Sequence, residues 1–372
     1  MNKIIFIGIV IITDILFSNF FFKKTSYWNN INWEDKYWRV PSKIYHHKIL
    51  PNIDVIEKWD GKKQKRIFTN SIGFFDKKIR KVKKINNKKR ILLIGDSFIE
   101  GSGIDYEKTF SGLLDKHLGE EYEILNSALA SYSPSIYFKK TEYFLNEGYK
   151  FDQVLVFLDV SDIYDELFIK FDSNGKILTY DETKKVNIFK KKFYKTGDLL
   201  KDNSVIFRML YLISDKTELM KNYFKLKYKV AKKLNKNFLE VSKDEATFYK
   251  MTNIDRGFWT FNDKTYEVVK KGLIQSEKYL VKLFKLLKDN NISSTLIVYP
   301  WPTQILYGDN VHLPHWRKFS KKNNINFLSL YNEFEGIDKK RIIFENFIYG
   351  DIHWNENGTK IVFDRITENV KF

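Results

Sequence analysis

Two short stretches constrain this chain most: Ile91-Leu92-Leu93-Ile94, stopped by Gly95, and the run QVLVFLDV over residues 153–160. An unbroken apolar run of this length has no polar side to turn to water, so it belongs to a strand covered on both faces. Between the two, residues 109–118 have helical spacing and residues 122–125 read as a strand. Ser133-Pro134 is an N-cap followed by proline at the first helical position, opening a helix that stops near Gly148. Strands and helices in this alternation predict right-handed βαβ units around a parallel sheet. The alternation resumes later, with a helix over residues 265–288, strands at 294–299 and 325–330, and a last helix after Asn357.

The gap from 163 to 262 reads as an insertion or lid, which divides the core domain into residues 90–162 and 263–372. Within it, Asn174-Gly175 between FIKF and KILTY suggests a hairpin. Residues 204–235 form a long basic helix with interleaved Phe, Tyr, Leu and Met, suited to packing on the core or to resting on a membrane or an anionic polymer. Residues 25–89 lack sustained periodicity and read as an extension packed on the core. They end in the charge run 77–90, which is expected as a solvated loop.

Residues 4–22 are a nearly unbroken apolar run, about 28 Å long as a helix at ~1.5 Å per residue. That length nearly matches a hydrocarbon core. Asp14 opposes insertion by about 2.5–3.5 kcal/mol, which the run's 14 Ile, Val, Leu and Phe outweigh. No small-x-small cleavage site follows, so residues 1–24 are expected as an uncleaved signal anchor and transmembrane helix. The chain has 372 residues and a net charge of +18, which favours anionic partners. No zinc knuckle, RNP-like segment or helix-turn-helix supports nucleic acid as one of them. With 0 cysteines, disulfides, thiolate metal sites and a cysteine nucleophile are excluded.

The chemistry gathers at Gly95-Asp96-Ser97, at the carboxyl end of the first core strand, the edge where open α/β sheets bind ligands. A serine hydroxyl is a poor nucleophile until a base takes its proton, so a histidine and an orienting carboxylate are required. Of 6 histidines, His353 lies in Gly350-Asp351-Ile352-His353-Trp354-Asn355, in a loop able to reach the same edge. Asp351, two residues earlier, can address the imidazole Nδ1–H only through a tight turn. Asp96 also suits a helix cap, and Asp159 and Asp162 suit a strand-end loop. His46-His47 and the pair His312 and His315 have the form of metal pairs, but His312 and His315 flank Pro314 and lack an evident third ligand. Trp259, Trp301 and Trp354 are available for sugar stacking or for the core.

The segment RILLIGDSFIEGSG (residues 90–103) resembles the first block of the SGNH (GDSL-like) hydrolases, and GDIHWNENG (350–358) resembles their last. Thr69-Asn70-Ser71-Ile72-Gly73-Phe74 resembles a segment preceding the nucleophile strand in membrane-associated members. The resemblance implies a three-layer, flavodoxin-like parallel sheet. It also implies Ser97 as nucleophile, His353 as base and Asp351 as orienter, with no cofactor and no metal. For the oxyanion hole it implies the backbone amides of Ser97 and Ser131, the latter where a glycine is usual, and Ser161 where an asparagine is usual. Asp96, Asp162, Trp354 and Asn355 are expected to line the site.

The two-residue spacing of Asp351 and His353 resembles periplasmic proteins that O-acetylate alginate and related polysaccharides. The implied activity is therefore that of a serine esterase or O-acyltransferase on acyl, chiefly acetyl, esters of exported or cell-surface carbohydrate. The implied setting is a membrane anchor with the catalytic domain outside the cytoplasm, near a membrane-bound acyl-donor protein. The competing expectation is a glycan-binding or assembly protein that keeps the fold while Ser161 weakens the oxyanion hole.

Overall fold

The computed structural model describes residues 3–22, 38–59, 63–173, 175–178 and 203–372. In chain order the elements begin with α1 (Lys3–Phe17), the two-stranded ribbon β1 (Arg39–Ser42) and β2 (His46–Ile49), and the strands β3 (Asp54–Trp59), β4 (Lys63–Thr69) and β5 (Phe75–Asp76). Then come β6 (Lys89–Ile94), α2 (Ser97–Glu100), α3 (Phe110–Leu118), β7 (Tyr122–Asn126), α4 (Pro134–Asn146), β8 (Gln153–Leu158) and α5 (Val160–Asp165). The rest are α6 (Val205–Leu234), α7 (Lys243–Thr252), α8 (Asp263–Asp289), β9 (Ser293–Val298), α9 (Pro302–Tyr307), α10 (His312–Asn323), β10 (Asn326–Ser329), α11 (Lys339–Asn346) and α12 (Glu356–Asn369). The chain divides into two compact units, one of Met1–Asp35 with Lys184–Ala246 and one of Lys36–Thr183 with Thr247–Phe372.

The larger unit is built on an 8-stranded sheet in the order β10-β9-β8-β6-β7-β5-β4-β3. The strands from β10 to β7 are parallel. Taken in chain order, they follow the doubly wound 2-1-3-4-5 sequence, with β6 first and β8 third. The two apolar runs take the central places: every residue of β8 is buried, as is all of β6 after Lys89. Strand order reverses between β6 and β8, and the carboxyl ends of strands at such a switch point are where open α/β sheets bind ligands.

The expected purely parallel sheet is mixed. Strand β5 pairs antiparallel with β7 through Phe75 and Asn126, and β4 and β3 continue the sheet outward. Without them β7 would present an unpaired edge. The turn into β5 is the TNSIGF segment: Asn70 Oδ1 accepts from the Ile72 and Phe74 amides, and Gly73 is left-handed at φ 74°. A Cβ on Gly73 would lie 2.5 Å from the Ile49 carbonyl oxygen, so glycine is required there. The charge run 77–90 is irregular until β6 but is not simply solvated. Arg90 is buried and donates from Nε to Glu123 at 2.6 Å, while Arg80 bridges the same glutamate and Asp76.

Within residues 163–262, Phe171 and Ile177 form an isolated antiparallel bridge around left-handed Gly175, and Asn174 lies outside the described residues. The long basic helix forms as α6, capped by the Ser204 hydroxyl and ended by left-handed Asn235.

In the smaller unit the expected transmembrane helix over residues 4–22 is corrected. The α-helix is 15 residues long and gives way at Ser18–Phe22 to a π-helical turn. The polar residues in the run explain the break. Asn19 Nδ2 donates to the Ile15 carbonyl at 2.7 Å, and Ser18 Oγ faces Asp14, so side chains compete with the helical ladder. Ser18 and Asp14 also accept from the Val205 and Ile206 amides, which satisfies first-turn donors of α6. Among the described residues no helix is long and apolar enough to cross a membrane.

Candidate active site

The position of Ser97 follows from how β6 ends. A Cβ on Gly95 would meet Ile99 Cγ1 at 3.0 Å and Phe157 Cβ at 3.1 Å, so only glycine lets α2 turn back against β8 without displacement. Asp96 then caps α2, accepting from the Phe98 amide at 3.0 Å. Ser97 becomes the first helical residue, and its own amide has no carbonyl within the helix to address.

His353 arrives from the opposite end of the sequence, between α11 and α12. Its loop is closed by a bridge between Phe347 and Trp354 and by the Ile348 amide on the His353 carbonyl at 2.8 Å. Gly350 is left-handed at φ 82° inside that turn. The turn is what allows a spacing of two: Asp351 Oδ1 accepts from both the His353 amide at 3.1 Å and His353 Nδ1 at 2.5 Å. Since a carboxylate only accepts, Nδ1 carries the ring proton and Nε2 holds a lone pair. Nε2 lies 2.7 Å from Ser97 Oγ.

The His353 ring packs beside Phe98, with centroids 4.8 Å apart, and Trp354 packs on Phe98 and Tyr299 behind it. Burial pushes the Asp351 carboxyl up. Its hydrogen bond and charge interaction with His353, together with two backbone amides, outweigh this and hold it below the ordinary carboxylate range.

Ser131, the other expected oxyanion donor, is exposed and left-handed at φ 63°, a conformation that explains why glycine suits this place. The preceding residue is held at both ends. The Ala130 amide donates to Glu100 Oε2 at 2.7 Å, and the Ala130 carbonyl accepts from His47 Nε2 at 2.9 Å. Glu100 is buried and also bound by Arg39. Burial, above all, lowers the His47 pKa to about 3, so its ring is neutral, with the proton on Nε2 and Nδ1 facing His46 at 2.8 Å.

Ser161 does not turn toward this space. Its hydroxyl and amide both donate to Asp159 Oδ1, at 2.8 and 2.7 Å, because Asp159 is the N-cap of α5 and draws in the first-turn donors. The expected Ser161 oxyanion donor is therefore corrected to a capping partner. Asp162 closes the same cap by accepting from the Asp159 amide. Asn355 caps α12 and donates to Glu345 and Phe347, so it is a structural residue of the loop.

Trp259, Trp301 and Trp354 are all core residues, at 1%, 1% and 2% exposure. His312 is buried against Tyr331, and His315 pairs with Glu277. Sequence reasoning missed Glu100, Arg39 and His47. Glu100 lies one helical turn after Ser97, a signal that was available, whereas the other two are about fifty to sixty residues away from it.

Beneath Ser97, Asp96, Asp159 and Asp162 are buried with their oxygens within 4.8 Å of one another. Burial first, then the Asp159 charge, pushes the Asp96 and Asp162 carboxyls well above the ordinary range. Protein donors address both oxygens of Asp159 and Oδ1 of Asp96, while Asp96 Oδ2 faces Ser97 Oγ at 3.1 Å.

Neither a protein-family model nor a curated protein sequence matches the chain. Among solved structures the chain is similar to TesA, at 10% identity and a TM-score of 0.41, covering 76% of this chain and 98% of that one. It is also similar to the acetyl xylan esterase AlAXEase, at 12% identity and a TM-score of 0.39, covering 76% and 100%. A third is a carbohydrate acetylesterase family member from Sinorhizobium meliloti, at 11% identity and a TM-score of 0.36, covering 75% and 96%.

Proposed function

We propose that the protein is an SGNH-type serine esterase or O-acyltransferase that works through an acyl-Ser97 intermediate. The observation that carries this is the continuous pair of contacts from Ser97 Oγ to His353 Nε2 at 2.7 Å and from His353 Nδ1 to Asp351 at 2.5 Å. Ser97 Oγ attacks the acyl carbonyl while its proton passes to Nε2, and Asp351 stabilises the imidazolium. The Ser97 and Ser131 amides receive the oxyanion. The leaving alcohol takes the proton from Nε2, and water or a sugar hydroxyl then reverses the sequence to release the acyl group.

The proposed substrates are acetyl esters of exported or cell-surface carbohydrate, supported by the two-residue Asp351–His353 turn, with a membrane-bound protein as acyl donor. The proposed setting is the outer side of a membrane. Exposed Ile5, Phe6, Ile9, Ile12, Leu16 and Phe17 on α1, beside exposed lysines on α6, support seating of the smaller unit on a lipid surface. A glycan-binding or assembly role is the second reading, favoured by the inward hydroxyl of Ser161.

The deciding experiment follows alcohol release from a chromogenic acetyl ester, with and without an oligosaccharide acceptor. The proposal expects turnover by the wild type that Ser97→Ala abolishes, with acetylated sugar formed if transfer operates. Equal rates in the two proteins would refute it, and an absence of turnover would favour the binding reading.

A further inference from the structure

Ser97 has one hydroxyl proton and two acceptors: His353 Nε2 at 2.7 Å and Asp96 Oδ2 at 3.1 Å. Given the catalytic reading above, on which this inference rests, the proton goes to Nε2, because Nδ1 already gives its own to Asp351. That leaves two oxygens at hydrogen-bonding distance with no proton between them, a repulsive contact, unless Asp96 supplies one. We propose that Asp96 is protonated in the working enzyme and donates a hydrogen bond from Oδ2 to Ser97 Oγ.

The donor census around the cluster supports this assignment. Asp159 accepts from the Ser161 amide and hydroxyl and the Asp162 amide on Oδ1, and from Trp301 Nε1 on Oδ2, so it is the member equipped to carry a charge. Asp162 accepts on Oδ2 from the Asp159 amide and the Tyr137 hydroxyl, while its buried Oδ1 receives no donor, so it is less well equipped than Asp159 to carry a charge. Asp96 Oδ1 accepts from the Phe98 amide and the Tyr299 hydroxyl, which leaves Oδ2 with Ser97 alone.

The groups facing Asp96 are Asp159 and Asp162 at the start of α5, Tyr299 after β9, Tyr137 on α4 and, through Ser97, His353 and Asp351. Among the described residues no lysine or arginine faces Asp96. Three buried carboxylates without a cation must share protons, as closely paired acids do. The same logic explains why burial and the Asp159 charge raise the Asp96 carboxyl.

The bond acts on the reacting oxygen at both stages. At rest it occupies a lone pair of Oγ and aims the hydroxyl proton at His353. During acylation Oγ forms its bond to the acyl carbon and its proton passes to Nε2 and on to the alcohol whose bond to that carbon breaks, while Asp96 keeps its own. During deacylation water or a sugar hydroxyl adds to the acyl carbon and gives its proton to Nε2; the carbon–Oγ bond then breaks, the electron pair returns to Oγ, and Oγ takes that proton while Asp96 eases the charge that builds there. Asp96 thus changes neither the atom nor the proton balance of the reaction.

Asparagine is the permanent mimic of the protonated acid, with an oxygen for Phe98 and Tyr299 and an N–H for Ser97, and it caps helices as well as aspartate. The test compares fluorophosphonate labelling rates of the wild type, Asp96→Asn and Asp96→Ala across pH, with infrared spectra of the folded proteins at neutral pH. The expected outcome has three parts. Asp96→Asn labels at least ten-fold faster than Asp96→Ala; the alkaline fall in the wild-type rate is absent in Asp96→Asn; and the deuterium-sensitive band of a protonated carboxyl weakens in Asp96→Asn.

An unchanged carboxyl band in folded Asp96→Asn would overturn the proposal, as would an Asp96→Asn rate as low as that of Asp96→Ala. A cation held by three ionised carboxylates would likewise show no such band to lose. Undiminished labelling of Ser97→Ala is a separate outcome: it would remove the nucleophile assignment and so the function given to Asp96, while the infrared band still reports its charge state.

Discussion

Replacing Glu100 by alanine tests whether the turn that carries Ser131 is held by one buried carboxylate. Glu100 is 3% exposed, and its two oxygens serve Arg39 and the Ala130 amide. Removing it leaves a half-buried guanidinium and a backbone N–H without their acceptor. Breaking a buried pair from one side costs about 3–5 kcal/mol, and the stranded amide falls within that figure rather than adding to it. With an m-value of about 3 kcal/mol/M, the urea midpoint drops by about 1–1.7 M.

Glu100→Ala also frees the Leu129–Ala130 peptide, one of the two ends by which the residue before Ser131 is held, so the direction of the Ser131 amide then rests on the His47 contact with the Ala130 carbonyl alone. With the Ser131 amide as the proposed oxyanion donor, its misplacement lowers the rate by up to about 10²- to 10³-fold. The assay is urea unfolding by fluorescence, paired with fluorophosphonate labelling well below the mutant's midpoint, where loss of fold is not the cause of a slower rate. A midpoint shift under about 0.3 M, roughly 1 kcal/mol, together with an unchanged labelling rate, would refute the clamp.

Asp351→Asn keeps the shape of the turn but presents an N–H where His353 needs an acceptor. A drop of about 10³- to 10⁴-fold in turnover, with little change in unfolding, is the expected result. Because the folded Asp351 carboxyl is held below its ordinary value, its contribution to stability is complete above about pH 4 and is lost as the pH falls through the folded value. The wild type therefore shows an acid-side loss of stability that Asp351→Asn does not share, readable as Tm against pH. Gly272→Ala would stabilise an ordinary helix interior by about 1 kcal/mol. Here the new Cβ would lie 2.2 Å from the Ile163 carbonyl oxygen, so a loss of about 1–3 kcal/mol is expected from urea titration.

Much of the core was legible because its signals are local. β6 and β8 announce themselves as apolar runs, Pro134 marks a helix start through its fixed φ, Ser204 through its capping hydroxyl, and Asn235 marks a helix end through its left-handed backbone. Ser97, His353 and Asp351 were legible because a strand-to-helix turn and a two-residue Asp-x-His turn each leave a short pattern. The antiparallel addition was not. β3 and β4 turn charged residues inward, with Glu57 and Lys65 each 6% exposed, and Lys65 reaches the Gly101 carbonyl. Such strands lack the alternation of apolar and polar residues that marks a half-buried strand.

The break in the N-terminal run was equally hidden, since hydropathy does not register Asn19 and Ser18 bonding to the chain around them. Ser161 was misplaced for a related reason. A serine beside a strand-end aspartate has the same spelling whether it faces a substrate or completes a cap. Only the Asp159 geometry decides between them.

The most direct measurement of the central assignment is intact-mass and peptide mapping after fluorophosphonate treatment of the wild type, Ser97→Ala and His353→Ala. One adduct on the peptide containing Ser97, absent from Ser97→Ala and formed at least a hundred-fold more slowly in His353→Ala, is the expected result. An adduct on another residue, or equal modification of all three proteins, would contradict it.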